Sequence, residues 1–321
     1  MNLLKAEWNR LASRRFTKMT LLVLVGGLLL IAAGLFIGNQ KISESDWAAA
    51  RVRAAATTTE MRDSCQRGTP DSNGPGRNCD VIEPANPEWF LPSTFAFREN
   101  AEPLVAVFGG LMCLFAFLVG SSFIGAEWSS GGVANLLLWR PKRAPTLLGK
   151  YVALLTGLTG VFVAVGAVWT AILWLTARFR GNFDGVTSGY ASSLGLTWLR
   201  MLALTLVIGT VAFAVASVGR RTAAALGAAI GVILVGEVGV RILFAGLFEV
   251  PQYERFVPSS YAGAWVLKKL EFADYTKCSG TADCMPQGWT LTMNDSAAVF
   301  GAVVVLALGA AFWSFTRRDV T

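Results

Sequence analysis

The apolar residues of this chain cluster into six runs of about 20 residues or more. An α-helix that rises about 1.5 Å per residue needs this length to cross about 30 Å of hydrocarbon. Hydrophobic residues make up 54% of the chain and charged residues 15%, whereas soluble domains carry about 25% charged residues. The sequence therefore predicts an all-α integral membrane protein with six transmembrane helices, at Met19–Gly38, Pro103–Gly125, Leu147–Thr176, Thr197–Gly219, Thr222–Leu247 and Ser296–Phe315.

Positively charged residues concentrate on one side of these predicted spans. Only Glu7, Glu127 and Asp319 oppose them there. Because positive charges near span ends are retained in the cytoplasm, we expect a multi-pass protein of the cell membrane with both termini cytoplasmic. The net charge of +7 is then a signal of topology, and no basic polar face favours a nucleic-acid partner. The basic residues on this side are Lys5, Arg10, Arg14, Arg15, Lys18, Arg140, Lys142, Arg143, Lys150, Arg220, Arg221, Arg317 and Arg318.

The segment before the first span has the pattern of an amphipathic helix. Leu4, Trp8 and Leu11 share one helical face, and the basic residues lie elsewhere. We interpret residues 1–18 as a helix in the cytoplasmic interface of the lipid bilayer, and a solvated basic lead-in is the alternative. Residues 19–321 then form the six-span transmembrane domain.

Four of the five cysteines lie in the two long segments predicted on the outward side, residues 39–102 and 248–295. These are Cys65, Cys79, Cys278 and Cys284, and they allow three pairings. The local pairing, Cys65 with Cys79 and Cys278 with Cys284, has the smallest loops. Free thiols or a metal site are alternatives, although a zinc site is disfavoured because the spacings fit poorly and the chain has no histidine.

The two outward segments differ in predicted structure. Residues 46–62 have helical character, and the following "RGTPDSNGPGRNCD" is too rich in Gly, Pro, Asn and Asp for regular structure. In the second segment "SSYAGAWVLKKLEFADY" is apolar enough to lie against the membrane. A surface helix is favoured there over a re-entrant hairpin.

The sequence offers little chemistry of its own. The absence of histidine removes histidine-based acid/base catalysis and serine-histidine triads. The Gly-Lys pair Gly149–Lys150 is followed by Tyr151, so it does not belong to a phosphate-binding loop. We therefore expect no enzyme activity, cofactor or metal in this chain, and any nucleotide would have to be bound by another subunit.

The loop between the second and third spans predicts a short amphipathic helix. Ser129 or Ser130 can cap a helix from about Gly131 to Trp139, which Pro141 ends. Such an element can dock on a soluble partner or lie on lipid headgroups. Its apolar residues are Val133, Leu136, Leu137 and Trp139, and the charges around it are Glu127, Arg140, Lys142 and Arg143.

Glu237 and Arg241 are charged residues inside the fifth apolar run. Being four residues apart, they lie on one helical face. We interpret them as an intrahelical pair, with Arg241 reaching towards the outer headgroups. A lining of a transport path or of a dimer interface is the alternative.

The order Glu127, Ser130-Gly131, Leu136-Leu137, Pro141, Arg143 and Lys150 resembles the coupling region of permease subunits of type-2 ATP-binding-cassette (ABC) transporters. The resemblance implies an interfacial N-terminal helix and a coupling helix seated on a cytoplasmic ATPase subunit, which binds ATP and Mg. It also implies a second permease subunit, the same or a homologous chain, and export of an amphipathic or hydrophobic substrate by alternating access. The coupling residues would be Glu127, Ser130, Gly131, Leu136, Leu137, Trp139, Arg140 and Arg143. The long first outward segment departs from simple family members.

Two other classes of protein remain as alternatives. A membrane scaffold or sensor would use disulfide-bridged outward segments as a binding module and would need no ATPase. A secondary transporter would need intramembrane titratable groups and an inverted repeat. One clear intramembrane acid and no evident repeat count against the secondary transporter.

Overall fold

The computed structural model describes residues 3–67, 79, 82–139, 142–248, 250–274 and 287–317. Within them, six helices are long and apolar enough to cross a membrane, which confirms the predicted all-α architecture with six spans. These helices are α2 (Arg15–Gly38), α4 (Phe97–Ser129), α6 (Arg143–Arg180), α7 (Ser188–Gly219), α8 (Thr222–Leu247) and α10 (Met293–Arg317). The other α-helices are α1 (Leu3–Ser13), α3 (Glu44–Arg67), α5 (Gly132–Trp139) and α9 (Pro258–Leu267).

Five of the six spanning helices are longer than the apolar runs that predict them. Helix α4 begins before Pro103, and α6 and α7 extend beyond their runs in the same way. Hydropathy marks only the part of a helix that crosses hydrocarbon, whereas the helical hydrogen bonds of the backbone continue into the more polar residues on either side. The apolar runs therefore locate the spans but not their ends.

The chain forms two compact units, and the larger comprises Met1–Leu28, Glu102–Val168 and Ser188–Thr321. Its core contains an aromatic cluster of Phe108, Phe162 and Trp198, from α4, α6 and α7, with ring centroids 4.9–5.7 Å apart. Helices α4 and α7 approach closely where Gly120 meets Gly209. A Cβ atom at Gly120 would lie 2.6 Å from the Gly209 carbonyl oxygen, so a larger residue there would separate the helices.

The smaller unit comprises Leu29–Ala101 and Trp169–Thr187. Its helix α3 confirms the helix predicted over residues 46–62 and extends it at both ends. Ala50 and Ala54 of α3 are buried, and the Thr58 hydroxyl accepts a hydrogen bond of 2.9 Å from the Ala85 N–H group. Strands β1 (Phe95–Ala96) and β2 (Gly181–Asn182) pair in parallel.

A disulfide joins Cys65, near the end of α3, to Cys79 in the smaller unit. This bond is one half of the local pairing that the cysteine spacing favoured. Cys278 and Cys284, the other half, lie outside the described residues.

The fifth span is wound unusually. Helix α8 is an α-helix over Thr222–Gly231 and continues as a π-helix over Val232–Gly239 and Arg241–Leu247. In this part N–H groups donate to carbonyls five residues earlier, as from Val240 to Val235. Few of its side chains pack within this chain: 6% of the apolar window of α8 is buried, against 56% for α7.

Only the first part of the surface helix predicted in the second outward segment is helical in the structure. Helix α9 ends at Leu267, where Lys268 has a positive φ of 71°. The remaining "KLEFAD" forms β3 (Lys269–Asp274), which pairs antiparallel with β4 (Gln287–Thr292). Leu270 and Phe272 pack there against Trp289 and Leu291 of β4. Pairing with β4, which packs every second side chain of β3 against that strand, outweighs the local helical pattern of the apolar residues.

Candidate functional site

Helix α5 lies in the loop between α4 and α6, as the sequence predicts. It begins at Gly132, after a turn in which Gly131 has a φ of 70°, a conformation that favours glycine. The serines before it do not cap α5, contrary to the prediction. The Ser129 hydroxyl donates to the Ala126 carbonyl and the Ser130 hydroxyl to the Glu127 carbonyl, so both satisfy acceptors at the end of α4.

Helix α5 exposes an apolar side chain. Val133 is buried, whereas Leu138 is 83% exposed. The side chains of Leu136, Leu137 and Trp139 lie outside the described part of the structure, as do residues 140–141. An exposed leucine on a short helix between two spans is suited to contact another surface.

Close to the ends of α4 and α6 that flank α5 in the chain, four charged side chains form a buried ion cluster: Glu7 of α1, Arg14, Glu127 of α4 and Lys150 of α6. The Lys150 ammonium lies 2.8 Å from a Glu7 carboxylate oxygen and 2.6 Å from a Glu127 carboxylate oxygen. Arg14 lies 2.7 Å from the other Glu127 oxygen. The side chains of Glu7 and Lys150 are each 1% exposed, and that of Glu127 is 12% exposed. The cluster thus joins α1, the α1–α2 junction, α4 and α6.

The surroundings of the ion cluster satisfy its charges further. Arg14 donates to the Ser122 carbonyl at 3.0 Å, and the exposed Arg10 lies 3.3 Å from Glu7. Both Arg14 and Lys150 lie over the ring of Phe123, at 5.1 and 5.6 Å from its centroid. Buried charges are tolerated only when they are paired in this way.

Glu127 is therefore placed differently from the surface position that its role in a coupling region suggested. Its side chain points into the ion cluster and not onto the exposed side of α5. Arg143, at the start of α6, donates to the Thr316 carbonyl in the last turn of α10, at 3.3 Å. Both residues support the structure around α5.

Sequence reasoning missed Glu7 and Lys150 as partners. The signal was present, because Glu7 and Glu127 are two of the few acids on the basic side and Lys150 is the one charge within the third apolar run. The sequence could not show that these charges meet, since Glu7 and Lys150 are 143 residues apart in the chain.

A second group of charges lies around α9. Glu237 and Arg241 of α8 are brought together at 3.5 Å. The Glu237 carboxylate also accepts hydrogen bonds from the Ser259 N–H group at 2.5 Å and from the Ser259 hydroxyl at 2.8 Å. Arg241 donates to the same hydroxyl at 3.1 Å. The predicted pair thus has a third member, in the first turn of α9.

Arg200 of α7 is a residue that sequence reasoning did not single out, although it is the one charge in the fourth apolar run. It is 8% exposed and donates to the Val266 carbonyl at 2.6 Å, at the other end of α9. It also donates to the Leu196 carbonyl and the Thr197 hydroxyl, at 3.3 and 3.1 Å. The indole N–H group of Trp265 donates back to the Arg200 carbonyl at 2.8 Å.

In the described part of the chain no group of three or more His, Cys, Asp or Glu residues could hold a metal ion. Charged side chains of two spans bind the ends of the short helix α9, and the ion cluster joins α1 to α4 and α6, the helices on either side of α5 in the chain. No curated protein matches the chain significantly. The family model described as "ABC-2 family transporter protein" matches residues 1–320. Because this match covers nearly the whole chain, the protein belongs to the ABC-2 family of transporter proteins.

Proposed function

We propose that this protein is the permease subunit of an ATP-driven exporter of amphipathic or hydrophobic substrates. It pairs with a second permease subunit, the same or a homologous chain, and with two cytoplasmic ATPase subunits that bind ATP and Mg. Membership of the ABC-2 family supports a membrane permease of an ABC transporter. The observation that carries the proposal further is helix α5, which lies in the chain between α4 and α6, two helices that the ion cluster joins to each other and to α1.

The connection of α5 to the spans is direct. Helix α5 follows α4 after the two-residue turn Ser130–Gly131, and α6 begins at Arg143. A push on α5 therefore acts on the ends of two long spans at once. Because Glu127 and Lys150 are paired with Arg14 and Glu7, movement of α4 or α6 also moves α1 and α2.

The direction of the chain in the membrane follows from its charges. The side that carries α5 also carries most of the basic residues, so we place α5 and both termini in the cytoplasm. An ATPase subunit would then reach the exposed side of α5. Closure of the ATPase dimer on ATP would displace α5, and the spans would open the path to the other side.

The test is Leu138→Asp, with Leu138→Met as the matched control. A docked helix gains most of its binding energy from a few central apolar contacts. An aspartate buried at such a contact should therefore lower the affinity for the ATPase subunit by about tenfold or more. We expect Leu138→Asp to insert normally but to lose the co-purifying ATPase or to uncouple ATP hydrolysis from export. Leu138→Met should behave as the native chain.

A coupled ATPase retained by Leu138→Asp would contradict a docking role for α5. A native protein with which no ATPase co-purifies would contradict the permease proposal as a whole. It would favour the membrane scaffold or sensor, in which the disulfide-bridged segment between α3 and Cys79 binds an outward partner.

A further inference from the structure

Helix α9 is held at its two ends by opposite charges that come from two different spans. At its N-terminal end the Ser259 N–H group donates to the Glu237 carboxylate of α8, and at its C-terminal end the Val266 carbonyl accepts from Arg200 of α7. A helix carries partial positive charge at its N-terminus and partial negative charge at its C-terminus. Each span thus supplies the charge that the nearer end of α9 favours.

The residue just before α9 does not cap the N-terminus of this helix with its side chain. The N-cap residue is Val257, which has no side-chain hydrogen-bonding group, and Pro258 occupies the first helical position. The carboxylate of Glu237 therefore takes the place of the usual capping Ser, Thr, Asn or Asp. Gly236 permits the approach, because a Cβ atom there would lie 3.2 Å from the ring of Pro258.

The two ends differ in how firmly they are held. Arg200 is 8% exposed and lies in α7, a well-packed span. In addition, Trp265 donates to the Arg200 carbonyl, so helix and span are joined by hydrogen bonds in both directions. At the other end the Glu237 and Arg241 side chains are 23% and 54% exposed, and the π-wound α8 that carries them is barely buried within the chain.

We propose that α9 is a pivoting segment, anchored at its C-terminal end by Arg200 and latched at its N-terminal end by Glu237. When α8 moves relative to α7, the contact of Glu237 with Ser259 breaks and the N-terminal end of α9 swings, while the contact of Arg200 with Val266 persists. That this swing accompanies export rests on the proposed function. The difference in how firmly the two ends of α9 are held does not depend on the proposed function.

The test is hydrogen exchange of single backbone amides in the full-length protein, reconstituted in lipid nanodiscs without nucleotide. The Ser259 amide reports the latch directly, because its proton lies in the bond to Glu237. We expect Glu237→Ala to speed exchange at Ser259 about five- to thirtyfold and to leave residues 265–267 within about twofold. Arg200→Gln should speed exchange at residues 265–267 and leave Ser259 latched.

Glu254→Ala is the matched control, since it removes a carboxylate from the turn just before α9 and should leave both ends unchanged. If Glu237→Ala does not fold, Glu237→Gln and Ser259→Ala take its place, and both should speed exchange at Ser259 by smaller factors. Exchange at Ser259 equal to that of the control in these variants would overturn the latch. Equal acceleration at both ends of α9 would overturn the pivot.

These outcomes are separable from the fate of the proposed function. A native chain with no ATPase partner would remove the link to export, while the exchange pattern of the nucleotide-free variants would still establish or overturn the latch and anchor. Conversely, a coupled exporter in which Glu237→Ala does not change exchange at Ser259 would keep the proposed function and remove the latch.

Discussion

Each charged residue inside the apolar runs has a partner that explains its presence. Lys150 is paired with Glu7 and Glu127, Arg200 donates to the Val266 carbonyl, and Glu237 with Arg241 binds Ser259. A charge at the centre of a bilayer costs about 2.5–3.5 kcal/mol on insertion scales, and burial in protein is tolerated only with partners. These residues therefore mark the places where one helix is tied to another.

The ion cluster should make Lys150 important for stability. We expect Lys150→Met to lower the free energy of unfolding by about 3–5 kcal/mol, because it leaves the buried Glu7 and Glu127 carboxylates with one cation fewer. Lys142→Met is the control, since Lys142 is an exposed lysine near the same end of α6. The measurement is denaturant unfolding of the purified protein in micelles. Equal stability of the two variants would show that the ion pairs of Lys150 do not stabilise the fold.

At the scale of elements, α3 begins with a reciprocal cap between Ser43 and Asp46. The Asp46 carboxylate accepts from the Ser43 N–H group at 2.8 Å and from the Ser43 hydroxyl at 2.6 Å. The Asp46 N–H group donates to the Ser43 hydroxyl at 3.3 Å. This is the arrangement of a capping box, with aspartate in place of the usual glutamate.

The cap predicts a pH dependence at the start of α3. Hydrogen bonds from the Ser43 hydroxyl, and next from its N–H group, hold the pKa of Asp46 below its ordinary value of 3.8. Because the folded-state pKa is lowered, the stabilisation is present above pH 3.8 and is lost as the pH falls through the folded-state pKa. We expect Ser43→Ala to return the pKa of Asp46 towards 3.8, as measured by NMR titration of ¹³C-labelled aspartate. A titration midpoint unchanged by Ser43→Ala would contradict the cap.

At the scale of the whole molecule, the charge distribution predicts that the disulfide lies on the side opposite to the termini. We expect a membrane-impermeant maleimide added to intact cells to label no cysteine before reduction. After reduction with an impermeant reductant it should label the four cysteines of the outward segments, and Cys113, within α4, should stay unlabelled throughout. Intact-mass measurement counts the adducts.

Two results of the labelling experiment would contradict the topology or the bridges. Four labelled thiols before reduction would mean that the outward cysteines are free. Labelling of Cys65 and Cys79 only after the membrane is permeabilised would place the first outward segment in the cytoplasm and reverse the orientation of the chain.

The sequence by itself determined the number and approximate position of the six spans, the helix in the first outward segment and the short helix α5. These features depend on local patterns: apolar length, helical spacing, and Gly and Pro as punctuation. The resemblance at Glu127 to Lys150 also identified the family that the match over residues 1–320 shows.

Only the tertiary structure decided which charges meet and how α9 ends. Lys150, Arg200 and Glu237 were visible as charges in apolar runs, but Glu7, Val266 and Ser259, which bind them, lie on other helices, up to 143 residues away in the chain. The strand Lys269–Asp274 likewise depends on pairing with Gln287–Thr292. Local patterns reflect the preferences of neighbouring residues, whereas ion pairs and strand pairs depend on which distant segments the fold brings within hydrogen-bonding distance.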